Sequence, residues 1–556
     1  MGKPKHSSSR SLNSFFLEQS RRQFLENSLK GAALLSLAAH PSLSRAATPF
    51  IGIGQRRHLI NFMVWGGIDT LWWYNNVPST FIADITRVYQ AGMISDNGAI
   101  TTLNGQSFRN PDSNIFVPYL PWSDASGKWD IRHPDSFLTQ HPISNHAYLG
   151  AGFKNQLQSA DLQSLLFLRG ISQVGGGHFL GNRYIQTGTS GKSTPCFSSV
   201  IAQHLASHYV RPLHYVQIAN NPDELYNQPG NLLGPAIPIQ IPNKSVWDQI
   251  TNLNSSDLPM DRRAALTATL SKLSKEIGAG RLKKATSKTL FSSFFDSYQS
   301  AYNMSTANHS AFGPIHEHYK QFLTNLLGPT STHPFRNWFA ETLLSNGVPN
   351  PGLQYQFNAL AFQLAMAEYL VANDLSAVVD IPTIPLDFHN DLGGECGRVL
   401  GIMMGYVELM RRLKTYQIGS TGKSVFDCTT LVMHSEFDRT AYLYNEGTNY
   451  RLSGSGHWEG YTSMILAGAG VNSNRMIGGY MTSPTAAGSP YQGLPFQPHT
   501  GLPIHPVTGQ IDPSSSGKKM TTEQIFPTLL SLFGCLELSP LPAMPSSIQA
   551  AIQSAA

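Results

Sequence analysis

Four short segments of this chain present acidic or imidazole side chains, and the first three follow apolar runs. They are Asp69, the pair Asp387 and His389, Glu436, and His457 in Gly454-Ser455-Gly456-His457-Trp458. Carboxylate oxygens and imidazole nitrogens together make a ligand set suited to zinc or manganese. A pair of such ions polarises a substrate oxygen and activates a nucleophile or a water, which is hydrolase chemistry. Spacing alone leaves a plainer alternative open, in which the acids cap loops and the histidines sit on the surface. Thr70 follows Asp69 directly and reads either as a nucleophile or as the cap of the next helix. His178 follows Gly175-Gly176-Gly177, glycines that permit either a close approach to a ligand or a tight turn. Trp72-Trp73-Tyr74 reads as a pocket lining or as core. Gly191-Lys192-Ser193 lacks the upstream glycines of a phosphate-binding loop, so a nucleotide site is set aside.

The elements that must carry these residues are apolar runs of strand length. His58 to Trp65 leads to Gly66-Gly67-Ile68-Asp69, and Leu165 to Leu168 leads to Arg169-Gly170. Ala377 to Ile381 leads to Asp387, Thr430 to Met433 leads to Glu436, and Met464 to Ala467 leads to Gly468. Nearly continuous apolar runs suit strands buried on both faces, as in parallel sheets. Helical periodicity between them, over Tyr355 to Ala372, Gly397 to Tyr416 and Glu523 to Phe533, predicts an α/β fold with a doubly wound, mostly parallel sheet. Ligands of such sheets bind at the carboxyl ends of strands. The stretch 255–344 is charged and helical, and reads as an insertion into a single α/β domain spanning 47–556. Ser483 to Lys519 is rich in Pro, Gly and Ser and reads as a long loop.

Composition bounds the function. The chain has 556 residues, with 39 Lys+Arg against 34 Asp+Glu. Seven of the basic and two of the acidic residues fall before Ala47, leaving 32 of each sign in the rest. A neutral body excludes nucleic-acid binding by phosphate neutralisation. Residues 1–46 carry Arg21-Arg22, a weakly apolar stretch from Gly31 to Ala39, and a small-residue cleavage pattern at Ser44-Arg45-Ala46. That order is expected of a twin-arginine signal peptide, which makes the export machinery a partner and the periplasm or the exterior the destination. The apolar stretch is about half the ~20 residues a membrane span needs, so no permanent anchor is expected. Four separated cysteines, with no Cys-x-x-Cys pair, give neither a zinc ribbon nor a disulfide framework, although disulfides remain open.

Taken in order, Gly66-Gly67-Ile68-Asp69, Gly177-His178-Phe179 with Gln186-Thr187-Gly188, Asp387-Phe388-His389, Ser435-Glu436-Phe437-Asp438-Arg439-Thr440 and Gly456-His457-Trp458 resemble the exported domain-of-unknown-function family 1501. That family is similar to the sulfatase and alkaline-phosphatase superfamily, and the resemblance runs from about His58 to Gly534. It implies an alkaline-phosphatase-like or sulfatase-like sheet carrying a divalent metal, zinc, manganese or calcium. It further implies that Asp387, His389 and His457 hold one ion, with Asp69 and Glu436 holding or bridging a second. Arg439 is implied to orient Glu436 or to bind an oxyanion; Thr70, or else a metal-bound water, is the candidate nucleophile, and His178 is a further catalytic candidate. The expected activity is hydrolysis of a phosphate or sulfate ester. The chain departs from the pattern where a hydroxyl is usual before His178, where glycine is usual at Asp438, where an acid is usual at Gly456, and where Phe437 replaces an imidazole. Those departures motivate an alternative, a catalytically degenerate member that binds a cell-envelope ligand without turnover.

Overall fold

The computed structural model describes residues 57–68, 138–140, 148–150, 156–173, 177–191, 194–208, 211, 213–218, 238–245, 247, 311–327, 344–345, 348–349, 351–384, 386–387, 392–444, 454–458, 460–478, 480–482, 491–493, 495–496, 518–541 and 547–553. The leader expected over 1–46 lies outside these residues, as do Asp69, Thr70, His389 and most of the segment 255–344.

Eight strands form one mixed sheet. In chain order they are β1 (His58–Val64), β2 (Leu165–Ser172), β3 (Tyr215–Gln217), β4 (Ile239–Gln240), β5 (Val378–Pro382), β6 (Thr429–Ser435), β9 (Tyr461–Gly468) and β10 (Arg475–Gly478). A separate antiparallel hairpin, β7 (Asp438–Tyr444) and β8 (Gly454–Trp458), intervenes between β6 and β9. The sheet order is β10-β2-β9-β6-β1-β5-β3-β4, with β1 at the centre. Strand β1 pairs in parallel with both β6 and β5. Only β9 runs against its neighbours β6 and β2.

The helices are α1 (Gly177–Thr187), α2 (Phe197–His208), α3 (Phe312–Leu327), α4 (Pro351–Ala372), α5 (Leu392–Thr415) and α6 (Thr522–Leu532). All seven residues of β1 are buried. Successive strand residues face opposite sides, so alternate side chains feed two apolar layers. Ile60, Phe62, Val379, Ile381, Leu431 and Met433 pack with α3, α4 and α5. Leu59, Val378, Val432, Met464 and Leu466 pack with α1, α2 and α6. Helix α3, the longest described part of the segment 255–344, thus lies in the main core. It is tied there by Glu368 of α4, which is fully buried and takes both Nε and Nη2 of Arg412 at 2.6 Å and the hydroxyl of Tyr319 at 2.7 Å. Helix α6 starts on a reciprocal cap between Thr521 and Gln524.

One carboxylate lies inside the sheet. Asp380 of β5 is fully buried and accepts hydrogen bonds from Asn61 Nδ2 (3.1 Å), Ser198 Oγ (2.8 Å) and Tyr215 Oη (2.6 Å). Burial outweighs those three bonds and lifts its pKa to about 6. A carboxyl pKa raised in the folded state means that the folded protein holds the proton more tightly than the unfolded chain. Stability from this group is therefore greatest below about pH 4 and falls as pH rises to about 6, by roughly 3 kcal/mol. Replacing Asp380 by Asn should remove that component. The wild-type minus Asp380→Asn difference in urea-unfolding free energy is expected to decline across this window, and a flat difference would refute the assignment.

Among the described residues no helix is long and apolar enough to cross a membrane. Cys196, Cys428 and Cys535 are buried free thiols.

Candidate metal centre

Three parallel strands, β6, β1 and β5, end side by side, and the segments leaving them are stitched together by main-chain hydrogen bonds. Leu386 N donates to Trp65 O at 2.6 Å, Ile68 N to Phe437 O at 3.2 Å, and Arg439 N to Ile68 O at 3.1 Å. The segment after β1 is thereby held between the one carrying Asp387 and the one carrying Glu436. Gly66 makes this closeness feasible. Its φ is +102°, and a Cβ there would stand 2.2 Å from Asp387 N. Ordinary side chains tolerate neither condition.

Helix α1 delivers His178 in its first turn, and the β7–β8 hairpin delivers His457, whose strand position pairs with Arg439. The two imidazoles converge on Asp387. His457 Nε2 lies 3.1 Å from Asp387 Oδ1, and His178 Nε2 lies 3.2 Å from Asp387 Oδ2. His178, Asp387 and His457 each offer a donor atom, and these atoms all lie within 4.8 Å of one another. Asp387 is 36% exposed and the two histidines about a fifth exposed, so the cluster faces solvent.

Behind it the groups are buried. Arg439 is fully buried and donates from Nη2 to Leu386 O (2.8 Å) and to Asp387 Oδ1 (3.1 Å). It braces Asp387 from within the protein. Glu436, 1% exposed, accepts from His178 Nδ1 at 2.7 Å and from Gly66 N at 2.6 Å on Oε1, and from Ser435 Oγ at 3.0 Å on Oε2. Aromatic rings fix His178 from its flanks: Trp65 stacks at 5.0 Å and Phe437 lies tilted at 4.9 Å, with His457 edge-on at 4.5 Å.

The electrostatics follow from this arrangement. Burial works to lower the pKa of His178, but the hydrogen bond and charge of Glu436, with the charge of Asp387, outweigh it and raise it. Burial dominates at His457, with the charges of Arg439 and His178 adding to it, and lowers its pKa despite the bond to Asp387. Burial would push Asp387 up, yet the His457 bond and the charges of His178 and Arg439 bring it below the usual carboxylate range. Asp387 is thus held ionised between two imidazoles, the protonation state a cation requires of a carboxylate ligand.

Of the residues singled out from the sequence, the structure brings together His178, Asp387, His457, Glu436 and Arg439. Asp69, Thr70 and His389 lie outside the described residues. His178 was expected in catalysis, and it stands here beside Asp387 and His457 as a potential ligand. Sequence reading assigned no function to Trp65, Gly66 or Ser435, which shape the site through stacking and hydrogen bonds. Local cues are the glycine pair after the first apolar run and the place of Ser435 in the Ser435-to-Thr440 motif.

Residues 154–488 match the sequence profile of a family described as "Protein of unknown function (DUF1501)". The chain belongs to this family. The matched span contains all five residues gathered at the site and leaves Asp69 and Thr70 upstream. No curated protein matches the chain.

Proposed function

We propose that the protein is an exported, metal-dependent hydrolase acting on a phosphate or sulfate ester. The observation that supports this reading is the convergence of His178, Asp387 and His457 on one solvent-facing point where parallel strands end. The donor set fits a divalent cation. Two imidazoles and a carboxylate, with one side open, are the usual protein contribution to a catalytic zinc site, and two imidazoles favour zinc or manganese over calcium. Such an ion supplies Lewis acidity toward an ester oxygen.

The chain's own residues have distinct roles in this reading. Asp387, His178 and His457 hold the cation. Buried Arg439 keeps Asp387 ionised and in place. Trp65 and Phe437 shield the faces of the His178 ring from water. By the family resemblance, Thr70 would supply the attacking oxygen, and Asp69 and His389 would be further ligands. The leader with Arg21-Arg22 supports passage through the twin-arginine machinery to the periplasm or the medium, where the substrate would be a small or envelope-borne ester.

A second reading, binding an envelope ligand without turnover, is favoured by one observation. The first turn of α1, Gly177 to Leu180, contains no hydroxyl beside the site.

One experiment separates the readings. Mature protein, supplied with Zn²⁺ or Mn²⁺, is offered aryl phosphates, phosphodiesters and aryl sulfates. Turnover of at least one class is expected, abolished by Asp387→Asn and recovered from the exported fraction only when Arg21 and Arg22 are intact. Turnover that survives Asp387→Asn would overturn the proposed site. Metal binding with no turnover in any class would hand the case to the second reading.

A further inference from the structure

We infer that Glu436 is a positioning residue, which orients His178 toward the cation and is not itself a ligand. This rests on the metal-centre reading above. Each oxygen of Glu436 is already taken by a donor of the protein. Oε1 accepts from His178 Nδ1 and Gly66 N at 2.7 and 2.6 Å, and Oε2 accepts from Ser435 Oγ at 3.0 Å. Oε1 has both lone pairs in use and could ligate only by leaving these bonds, and Oε2, held by Ser435, would have to emerge from a position only 1% exposed. Asp387, by contrast, is 36% exposed and touches both imidazoles.

The hydrogen bond between Glu436 and His178 has a direct chemical consequence. A carboxylate only accepts, so His178 Nδ1 carries the proton. In the neutral ring the lone pair then falls on Nε2, the atom that faces Asp387 Oδ2. A carboxylate on the far nitrogen of a ligating histidine fixes its tautomer and raises its basicity. The ring has little freedom to choose otherwise, because Trp65 stacks on it and Phe437 packs beside it.

The two partners are also locked to each other through the backbone. Gly181, one turn after His178 on α1, sits so close to β6's end that a Cβ would stand 2.7 Å from Glu436 O. The helix that carries His178 therefore rests on the residue that orients it. Ser435 and Gly66 in turn hold the carboxylate, so its direction is set by three elements at once.

The test is a double-mutant cycle on metal affinity with the full mature chain. Zn²⁺ affinity is measured by competition with a chromophoric chelator for wild type, Glu436→Gln, His178→Ala and the double variant. Glu436→Gln is expected to weaken binding about 10- to 100-fold. In the His178→Ala background the same change should have little effect, since Glu436 acts only through that ring. Equal losses in both backgrounds, as a direct ligand would give, would overturn the inference while leaving the metal centre standing. Wild type that binds no Zn²⁺ would instead bring down the metal-centre reading, and this inference with it. A second measurement needs no variant: ¹⁵N–¹H spectra of the His178 ring in Zn²⁺-loaded wild type should show Nδ1 protonated and Nε2 bound. The opposite tautomer would refute the assignment even if Glu436→Gln failed to fold.

Discussion

His178→Ala and His457→Ala are each expected to lower Zn²⁺ affinity by at least about 100-fold, a loss of ~2.7 kcal/mol in binding free energy, with little change in thermal stability. Removing one of three ligands should cost at least as much as removing a group that merely supports one, and outer groups already account for about 10- to 100-fold. Stability should hold because both imidazoles sit at the rim of the site, about a fifth exposed, and neither belongs to the two apolar layers. The metal-free charge distribution points the same way. Among the described residues, His178 stands between two carboxylates, Asp387 and Glu436, an acidic excess about that ring when the imidazoles are neutral. Without a cation, that excess draws protons onto His178, whose pKa is raised. His318→Ala is a suitable control, since that histidine pairs with Glu408 on the α3–α5 surface at 2.8 Å and should leave metal affinity unchanged. Comparable losses in the control, or no loss in either site variant, would remove the basis for a cation at this point.

The sequence made some of this arrangement legible and left other parts hidden, for physical reasons. Five apolar runs marked five strands of the large sheet, because burial on both faces leaves an unmistakable continuous pattern. The bounds came close: His58 to Trp65 was expected where the strand spans His58–Val64, and Met464 to Ala467 where it spans Tyr461–Gly468. Direction was another matter. Strand β9 lies antiparallel between two neighbours, yet its apolar run looks like the others, since burial is the same whichever way a strand runs. The two- and three-residue strands β3 and β4 carry too few residues for any period to emerge. Helix α1 was missed as an element because its amphipathic stripe is interrupted by buried Asn182, Arg183 and Gln186, whose burial depends on distant partners.

The site shows the same division. The residue types were legible, and so was the strand-end placement of Asp387 and Glu436. What was not legible is who touches whom. Arg439 is expected to act on Glu436 or an oxyanion; among the described residues it donates to Leu386 O and Asp387, partners that its sequence neighbourhood does not suggest. That outcome depends on the segment after β1 lying between two others, a contact across more than 300 residues of chain. No local pattern encodes it, apart from the glycines that permit it.

Those glycines lead to the second large effect. Gly66→Ala is expected to destabilise the fold by roughly 2 to 6 kcal/mol, combining left-handed backbone strain with overpacking. The clash is with backbone: the new methyl would stand 2.2 Å from Asp387 N and 2.5 Å from Leu386 C. Neither atom can swing aside as the end of a side chain would. Relief requires the segment bearing Asp387 to move off β1, breaking the 2.6 Å bond from Leu386 N to Trp65 O. It would also disturb the 2.6 Å bond from Gly66 N to Glu436. The variant should therefore lose metal affinity together with stability, because one contact serves both. Gly177→Ala separates strain from crowding. Its φ of +74° is equally unfavourable to a side chain, but a Cβ there meets nothing within 4 Å, so only about 1 to 2 kcal/mol is expected. Urea unfolding of the two variants decides the point. If Gly66→Ala proves no worse than Gly177→Ala, the close approach at Asp387 is not what holds the strand ends together.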